Sequence, residues 1–160
     1  MANCTELKKE SVMEGGILMG VQASGKSAFY ASQFAQTHLL ISLDMLNTRR
    51  KERLIFQAAL EAPQSLVVDN TNPTVACRSR YIESLKAHHF EVKGYYFQSE
   101  IGACLARNAG RTGSNKIPEK GLLATHKKLQ LPSFEEGFDE LFYVKQVSGK
   151  FDIKVWSDEI

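Results

Sequence analysis

Short apolar runs alternate along this chain with longer segments in which apolar residues recur at helical spacing. Five of the runs are rich in strand-favouring residues, and they predict strands near 16–20, 38–44, 65–70, 91–97 and 140–146. The longer segments predict helices over 27–37, 45–61, 74–88, 100–109 and 118–129. Strands that alternate with helices form a mainly parallel sheet with helices on both faces. The pattern therefore predicts an α/β domain of three layers around a five-stranded sheet.

The boundaries of several predicted elements carry their own signals. Asn72 suits a helix N-cap and Pro73 suits the first helical position, so we predict that the third helix starts there. Residues 110–115 are rich in Gly, Ser, Thr and Asn, which predicts a mobile loop, and residues 151–156 alternate like an edge strand. We expect a single domain over 1–160. Its parts are a core over about 15–146, a lid over about 107–120 and a C-terminal tail over 147–160.

The composition is that of an ordinary globular protein, with 43% hydrophobic and 24% charged residues. The absence of repeats and low-complexity tracts from the sequence excludes fibrous and disordered classes. No apolar run approaches the roughly 18 residues of a membrane span, and the first residues lack the apolar core of a signal peptide. We therefore expect a cytoplasmic protein with no membrane partner. Cys4, Cys77 and Cys104 lie far apart, which argues against a disulfide framework and against a CxxC metal site.

Residues Gly20 to Ser27 read GVQASGKS and fit the P-loop pattern GxxxxGK[ST] at every fixed position, directly after the first predicted strand. The backbone N–H groups of such a loop and the positive end of the following helix bind a triphosphate. We predict that Gly20, Ser24 and Gly25 line the phosphates. Lys26 would contact the outer phosphates, and the Ser27 hydroxyl would bind Mg²⁺. The alternative is a glycine-rich turn that binds no ligand.

Two aspartates end predicted strands, at the edge where parallel sheets bind their ligands. Asp44 closes the apolar run 39–43, and Asp69 closes the run 66–68. Phosphoryl transfer needs a carboxylate that accepts the proton of the attacking hydroxyl and another that holds magnesium water. We predict the first role for Asp44 and the second for Asp69. The alternative for each is a helix N-cap, a position that Asp also favours.

Arg107 and Arg111 lie four residues apart, where a predicted helix runs into the loop 110–115. We predict that this pair closes over the triphosphate as part of a lid, which excludes water and meets the charge on the transferred phosphoryl group. The alternative is a pair of solvated surface arginines. The net charge is +5 between residues 101 and 132, against +2 for the whole chain, so positive charge is concentrated around the lid. A polyanionic substrate and simple solubility both account for this concentration.

A second basic group lies at the start of the second predicted helix and consists of Arg49, Arg50, Lys51 and Arg53. It is either a solvated helix face or a site for acceptor phosphates, and the sequence does not decide between these two interpretations. His88 and His89 are predicted to end a helix, where cationic side chains suit the helix dipole, and not to bind a metal.

With these motifs together, the chain resembles the kinase domain of polynucleotide 5'-hydroxyl kinases, in particular the kinase half of the polynucleotide kinase-phosphatases. The resemblance extends over about 16–144 and is carried by the P-loop, Asp44, DNTNP at 69–73, RNAGR at 107–111 and EGF at 136–138. It implies a P-loop kinase fold with a lid and a phosphorylation of a 5'-hydroxyl that depends on ATP and Mg²⁺. The residue roles that it implies are the general base for Asp44, phosphate and metal contacts for Lys26 and Ser27, the lid arginine for Arg111, and the acceptor side for Asp69 and Thr71.

These observations lead to the hypothesis of an ATP-dependent kinase that acts on an alcohol, with a polynucleotide 5' end or a phosphorylated small molecule as its partner. A kinase of small metabolites, such as a sugar or sugar acid, is the first alternative, since the family often has Arg where this chain has Leu43. The second alternative is a nucleotide-binding module without a dedicated acceptor. The phosphatase pattern DxDxT is absent from the sequence, so only the kinase reaction is predicted.

Overall fold

The computed structural model describes residues 11–158, and within them six strands form one sheet in the order β2-β3-β1-β4-β5-β6. The strands are β1 Glu14–Met19, β2 Leu39–Ile41, β3 Leu66–Asp69, β4 Glu91–Phe97, β5 Glu140–Val147 and β6 Lys150–Val155. Strands β1 to β5 run parallel, whereas β6 pairs antiparallel with β5. The predicted α/β class with a mainly parallel sheet is thus confirmed.

The sheet has one strand more than the five that we predicted. β6 overlaps the segment 151–156, whose alternation indicates an edge strand, and starts one residue earlier, after a tight turn from β5. Ser148 and Gly149 in that turn have positive φ angles of 52° and 74°, as two-residue hairpin turns require. The tail therefore extends the sheet as far as Val155, and residues 159–160 lie outside the described part of the chain.

In the described part of the chain, six helices accompany the sheet. They are α1 Lys26–Gln33, α2 Leu43–Leu46, α3 Arg49–Glu61, α4 Val75–Ala87, α5 Ile101–Ala109 and α6 Glu119–Lys128. Two 3-10 turns, Gly113–Asn115 and Phe134–Glu136, follow α5 and α6. The longest helices, α3 and α4, have 13 residues each, and between residues 11 and 158 no helix is long and apolar enough to cross a membrane.

The helix predicted over 45–61 is in fact two helices. α2 ends at Leu46, and Asn47 then adopts a left-handed conformation with a φ of 67°, which ends a helix. Thr48 starts α3, because its side chain accepts a hydrogen bond from the backbone N–H of Lys51 at 3.2 Å. Residues 47–53 contain no apolar residue, so the spacing of apolar residues does not locate this break.

The predicted start of α4 is also wrong. The N-cap is Thr74, whose hydroxyl accepts a hydrogen bond from the N–H of Cys77 at 3.1 Å. Asn72 is buried with a φ of 43°, and its Nδ2 donates to the carbonyl oxygen of Leu18 at 2.7 Å. Its side chain ties the chain after β3 to β1 and does not cap a helix. The predicted end of this helix is confirmed, since His88 is the C-cap.

Apolar side chains cover both faces of the sheet. On β1, Ile17 belongs to the core under α3 and α4, while Leu18 packs on the opposite face with Phe29 of α1. A third cluster lies against α5 and α6 and consists of Val21, Cys104 and Leu122. Full burial of each large apolar side chain contributes about 1.5–3 kcal/mol. The three-layer arrangement is therefore what buries the apolar positions of the central strands.

The described cysteines are free thiols, Cys77 half-buried and Cys104 buried. Burial raises the pKa of the Cys104 thiol, which behaves as a small apolar side chain within its cluster. Cys4 lies outside the described residues. In the range 11–158 no group of three or more His, Cys, Asp and Glu side chains is placed to hold a metal ion.

The P-loop leaves β1 at the carboxyl edge of the sheet. Because β1 lies between β3 and β4, the loop contacts the segments that follow both neighbours. The N–H of Gly20 donates to the carbonyl oxygen of Thr71 at 3.0 Å, and the N–H of Val21 donates to Ser99 Oγ at 3.1 Å. This edge is where parallel sheets bind ligands.

Candidate active site

The P-loop forms a pocket suited to an anion. Gly25 has a φ of 103°, a backbone conformation that residues with a side chain rarely adopt, so the turn requires glycine at this position. α1 begins at the next residue, Lys26, and within the described residues no side chain caps its N terminus. The N–H groups of its first turn therefore remain for an anion, which the helix dipole also favours.

The Lys26 ammonium lies inside this pocket. Its Nζ donates to the carbonyl oxygens of Gly20 and Val21 at 2.8 Å each and lies 3.4 Å from Ser24 Oγ. Burial lowers the pKa of Lys26 to about 8, against the opposing effect of the Asp69 charge. Lys26 forms no ion pair with any residue in the described part of the chain. A phosphate would supply the counter-charge.

Asp69 ends β3, as predicted, and faces the P-loop. The Ser27 hydroxyl donates to Asp69 Oδ2 at 2.7 Å. Burial raises the pKa of Asp69, while the bond from Ser27 and the charge of Lys26 act in the opposite direction. A hydroxyl and a carboxylate side by side are hard oxygen ligands, and Mg²⁺ in phosphate sites typically takes one or two carboxylates together with substrate phosphates. The residues present therefore fit a magnesium ion.

Asp44 lies in the first turn of α2 and does not end a strand. β2 stops at Ile41, and Ser42 is the N-cap of α2, so both the predicted strand end and the N-cap alternative are wrong for Asp44. Its side chain is exposed. Burial dominates the pKa shifts of Lys26 and Asp69, and the charge of Asp44 contributes to both. The three side chains are therefore close enough to interact electrostatically.

Arg107 and Arg111 are the two arginines of the predicted lid. Arg107 is exposed, and its Nε donates to the carbonyl oxygen of Ala23 within the loop at 2.6 Å. α5 ends at Ala109, so Arg111 lies in the lid segment and not on the helix. Its charge contributes, after burial, to the low pKa of Lys26. Arg107 thus contacts the P-loop directly, whereas Arg111 acts on the pocket through its charge.

The segment after β3 connects the parts of the site. Asn70 Oδ1 accepts a hydrogen bond from the N–H of Leu43, directly before Asp44, at 3.0 Å. The carbonyl oxygen of Thr71 accepts the bond from the P-loop already described, and its side chain is half-buried. The sequence motif DNTN therefore supports the P-loop and α2 at the same time.

A buried polar cluster behind Asp44 escaped the sequence analysis. Glu52 and Tyr81 are 4% and 3% exposed, and the Tyr81 hydroxyl donates to Glu52. Burial raises the pKa of Tyr81 to about 12, and the bond to Glu52 acts in the same direction. The sequence contains a signal for the burial of Glu52, because this residue shares a helix face with the apolar residues Phe56, Ala59 and Leu60, which are all buried.

The basic group at the start of α3 divides into two parts. Arg49 forms an ion pair with Glu52, because its Nη1 lies 3.0 Å from Glu52 Oε2. Arg50, Lys51 and Arg53 are exposed, and none of the three forms an ion pair within residues 11–158. They remain open to a polyanion.

We expect nucleotide binding to weaken above pH 8. Below this pH Lys26 is already charged in the free protein, because its pKa is about 8. Above it the free lysine is neutral, and a bound triphosphate favours the ammonium, so binding takes up a proton and Kd rises by up to about tenfold per pH unit. Calorimetric titration with a non-hydrolysable ATP analogue from pH 7 to 9.5 measures this. The dependence should disappear in Lys26→Met, and a constant Kd up to pH 9.5 would contradict it.

A parallel sheet with a P-loop after its first strand, a buried lysine inside the loop and a Ser27–Asp69 pair defines a P-loop nucleotide-binding domain. Residues 17–132 match the AAA_33 family model, which is described as an AAA domain. The chain belongs to this family.

The chain is also similar in sequence to part of a larger protein. The bifunctional polynucleotide phosphatase/kinase of Schizosaccharomyces pombe is 30% identical over 135 residues, which are 82% of this chain and 33% of that protein. The resemblance to polynucleotide kinase-phosphatases is thus confirmed as distant homology. The chain spans about a third of the length of the curated relatives it matches.

Solved structures show the same fold. A gluconokinase from Sinorhizobium meliloti 1021 superposes with a TM-score of 0.58 at 19% identity, over 82% of each chain. Chaetomium thermophilum Kti12, in complex with ADP-AlF3, superposes with a TM-score of 0.61 at 14% identity, over 82% of this chain and 88% of that one. The fold is therefore that of P-loop kinases.

Proposed function

We propose that the protein transfers the γ-phosphoryl group of ATP to an alcohol, and that this alcohol is the 5'-hydroxyl of a polynucleotide. The observation that carries the proposal is the placement of Asp44, an exposed carboxylate that directly follows Leu43, whose N–H donates at 3.0 Å to Asn70, the residue after Asp69. It stands beside the phosphate pocket and is open to an acceptor. Transfer to a hydroxyl needs a carboxylate in this position.

In this reaction the Asp44 carboxylate takes the proton of the acceptor hydroxyl while the hydroxyl oxygen bonds to the γ-phosphorus. The bond from that phosphorus to the bridging oxygen of ADP breaks. Lys26 and the loop N–H groups hold the outer phosphates, and Arg111 offsets charge on the transferred oxygens. Ser27 and Asp69 would hold Mg²⁺, which when bound neutralises negative charge on the phosphates.

Two observations favour a polynucleotide as the acceptor. The Schizosaccharomyces pombe relative is named for action on polynucleotides, and its similarity covers 82% of this chain. Arg50, Lys51 and Arg53 of α3 also follow α2, the helix that carries Asp44, and in the described part of the chain their positive charges have no ion-pair partner. We propose that these three side chains contact acceptor phosphates, while Asp69 and Thr71 lie on the acceptor side.

Replacing Arg50, Lys51 and Arg53 together by Ala is expected to raise KM for a 5'-hydroxyl oligonucleotide about tenfold at low salt and to leave KM for ATP unchanged. The log–log dependence of KM on salt should flatten by roughly 0.7 per lost phosphate contact. Steady-state kinetics at several salt concentrations measure both. Lys86→Ala with Lys154→Ala, on distant surfaces, is the control. An unchanged salt dependence in the triple variant would place the acceptor elsewhere.

A small metabolite is the second candidate for the acceptor. The gluconokinase from Sinorhizobium meliloti 1021 and a sugar kinase from Janibacter sp. HTCC2649 share the fold, with TM-scores of 0.58 and 0.60. The same pocket and carboxylate serve a sugar hydroxyl equally well, because the chemistry of the transferred group is identical.

A panel of acceptors tests the proposal. The protein is incubated with γ-labelled ATP and Mg²⁺, together with single- and double-stranded 5'-hydroxyl DNA and RNA, gluconate and simple sugars. We expect label on the oligonucleotides, with a kcat/KM far above that of any metabolite. Label on a sugar or sugar acid alone would favour the second candidate. Tight ATP binding without transfer to any acceptor would favour a nucleotide-binding module.

A further inference from the structure

The helix that carries Asp44 is not capped by its own residues. α2 has only four residues, Leu43–Leu46, and the side chain of its N-cap, Ser42, forms no cap bond within the described residues. The first N–H groups of a helix need partners from outside it. The N–H of Leu43 finds one in Asn70 Oδ1, at 3.0 Å. A side chain from the end of β3 therefore holds the turn that presents Asp44.

The orientation of the Asn70 amide is determined by its other neighbours. Asn70 Nδ2 lies 3.4 Å from Glu52 Oε2 and 3.4 Å from the Tyr81 hydroxyl. An ionised carboxylate only accepts hydrogen bonds, so the amide nitrogen must face Glu52 and the amide oxygen must face Leu43. The amide has a single orientation that satisfies both sides.

Glu52 and Tyr81 are themselves held firmly. Both are buried, Tyr81 donates to Glu52 Oε1, and Arg49 Nη1 donates to Glu52 Oε2 at 3.0 Å. Tyr81 also packs edge-on against Phe56, with ring centroids 5.4 Å apart. These contacts join α3, α4 and the end of β3 in a buried polar cluster. The Asn70 amide, which caps α2, is therefore held by side chains from two packed helices.

We propose that Asn70 is a positioning residue that places the Asp44 carboxylate through the backbone of Leu43, and that Glu52 and Tyr81 act by orienting Asn70. The inference rests on the proposed function, in which Asp44 is the general base. A base must lie within hydrogen-bond reach of the proton that it removes, and small misplacements lower rates by as much as about 100-fold. Asp69, the neighbour of Asn70, bonds Ser27 of the P-loop. The residues at the end of β3 therefore position both the Ser27–Asp69 pair, which would hold the metal, and Asp44, the proposed base.

The first test is Asn70→Ala, assayed with ATP and a 5'-hydroxyl oligonucleotide. We expect kcat to fall about 10- to 100-fold while KM for ATP stays within about twofold. Glu52→Gln retains shape but allows residue 52 to donate, so Asn70 loses its fixed orientation, and a smaller loss of several-fold is expected. Ile82→Val, on the same helix as Tyr81, is the control for a general loss of packing and should leave kcat unchanged.

The second test is a double-mutant cycle with Asp44→Asn. If Asn70 acts through Asp44, Asn70→Ala costs nothing further in the Asp44→Asn background. Equal losses in both backgrounds would show a general structural effect and overturn the inference. An Asp44→Asn variant with full turnover would instead overturn the proposed function, so the two failures are distinguishable.

Hydrogen exchange gives a measurement that needs no substrate. Within 43–46, the amides of Leu43 and Leu46 should exchange about tenfold faster in Asn70→Ala than in the unaltered protein, because Leu43 loses its bond to Asn70 and the helix bond from Leu46 to Ser42 opens more often. The Ile82→Val control should show no such change confined to α2. Unchanged exchange at 43–46 would overturn the inference, whatever acceptor the enzyme uses.

Discussion

Replacing Asp44 by Asn is expected to lower turnover by about 10² to 10⁴ while the affinity for ATP stays nearly constant. The amide cannot accept the proton of the acceptor hydroxyl, but it has the same size. Asp44 is exposed and forms no hydrogen bond within the described residues, so the substitution leaves the fold intact. Steady-state kinetics with a 5'-hydroxyl oligonucleotide, together with a titration of an ATP analogue, measure the two quantities.

The matched control for this variant is Asp152→Asn on β6, which removes the same charge from an exposed position remote in the sheet from β2. It should leave turnover within about twofold, since an exposed ion pair such as the one with Lys154 is worth little. A similar pH–rate profile for the Asp44→Asn variant and the unaltered protein, at unchanged turnover, would remove Asp44 from the mechanism.

Replacing Arg78 by Ala is expected to destabilise the fold by about 3–5 kcal/mol. Arg78 is fully buried and forms a forked pair with Glu136, at 2.7 Å from Nε and 3.1 Å from Nη2. Its Nη1 also donates to the carbonyl oxygens of Asn72 and Gln130, at 3.1 Å each. Removal of the guanidinium leaves a buried carboxylate without its counter-charge and two carbonyl oxygens without this donor, which is more costly than the loss of the contacts alone. Urea unfolding measures the difference.

The control for this loss is Arg80→Ala on the same helix. Arg80 is exposed, and its guanidinium lies 5.1 Å from the centre of the Tyr81 ring, a contact worth about 0.5–1 kcal/mol. Arg78→Lys retains the charge but not the planar fork and should fall between the two. If Arg78→Ala were as stable as Arg80→Ala, the buried pair would contribute no net stability to this fold.

The fold was largely predictable because its signals are local. Alternation of apolar runs with helical segments indicated all five parallel strands, and alternation in the tail indicated β6. The error at the start of α4 arose because a distant contact outweighs a local preference. Asn72 has the residue type of an N-cap, but its amide bonds β1 at Leu18, 54 residues earlier, and α4 starts later.

The candidate site was predictable only in part. Lys26 and Ser27 followed from the P-loop motif, and Asp69 followed from its place at the end of a strand. The sequence predicts Asp44 at a strand end, whereas the structure places it on the short helix α2. After burial, the charge of Asp44 is among the lesser contributions to the pKa of Lys26 in the pocket. The sequence gives no signal for the role of Asn70, since its partners Leu43 and Glu52 are 27 and 18 residues away along the chain.

The sequence by itself determined the nucleotide pocket, because eight contiguous residues supply the turn, the lysine and the start of the helix, and a local backbone conformation is enough to bring them together. The tertiary structure alone decided what lies behind Asp44 and why Arg78 and Glu52 are buried. Those charges are tolerated only where strands and helices from distant parts of the chain bring partners within hydrogen-bond distance. No pattern of residue types along the chain contains that information, because it depends on the order and register of the strands.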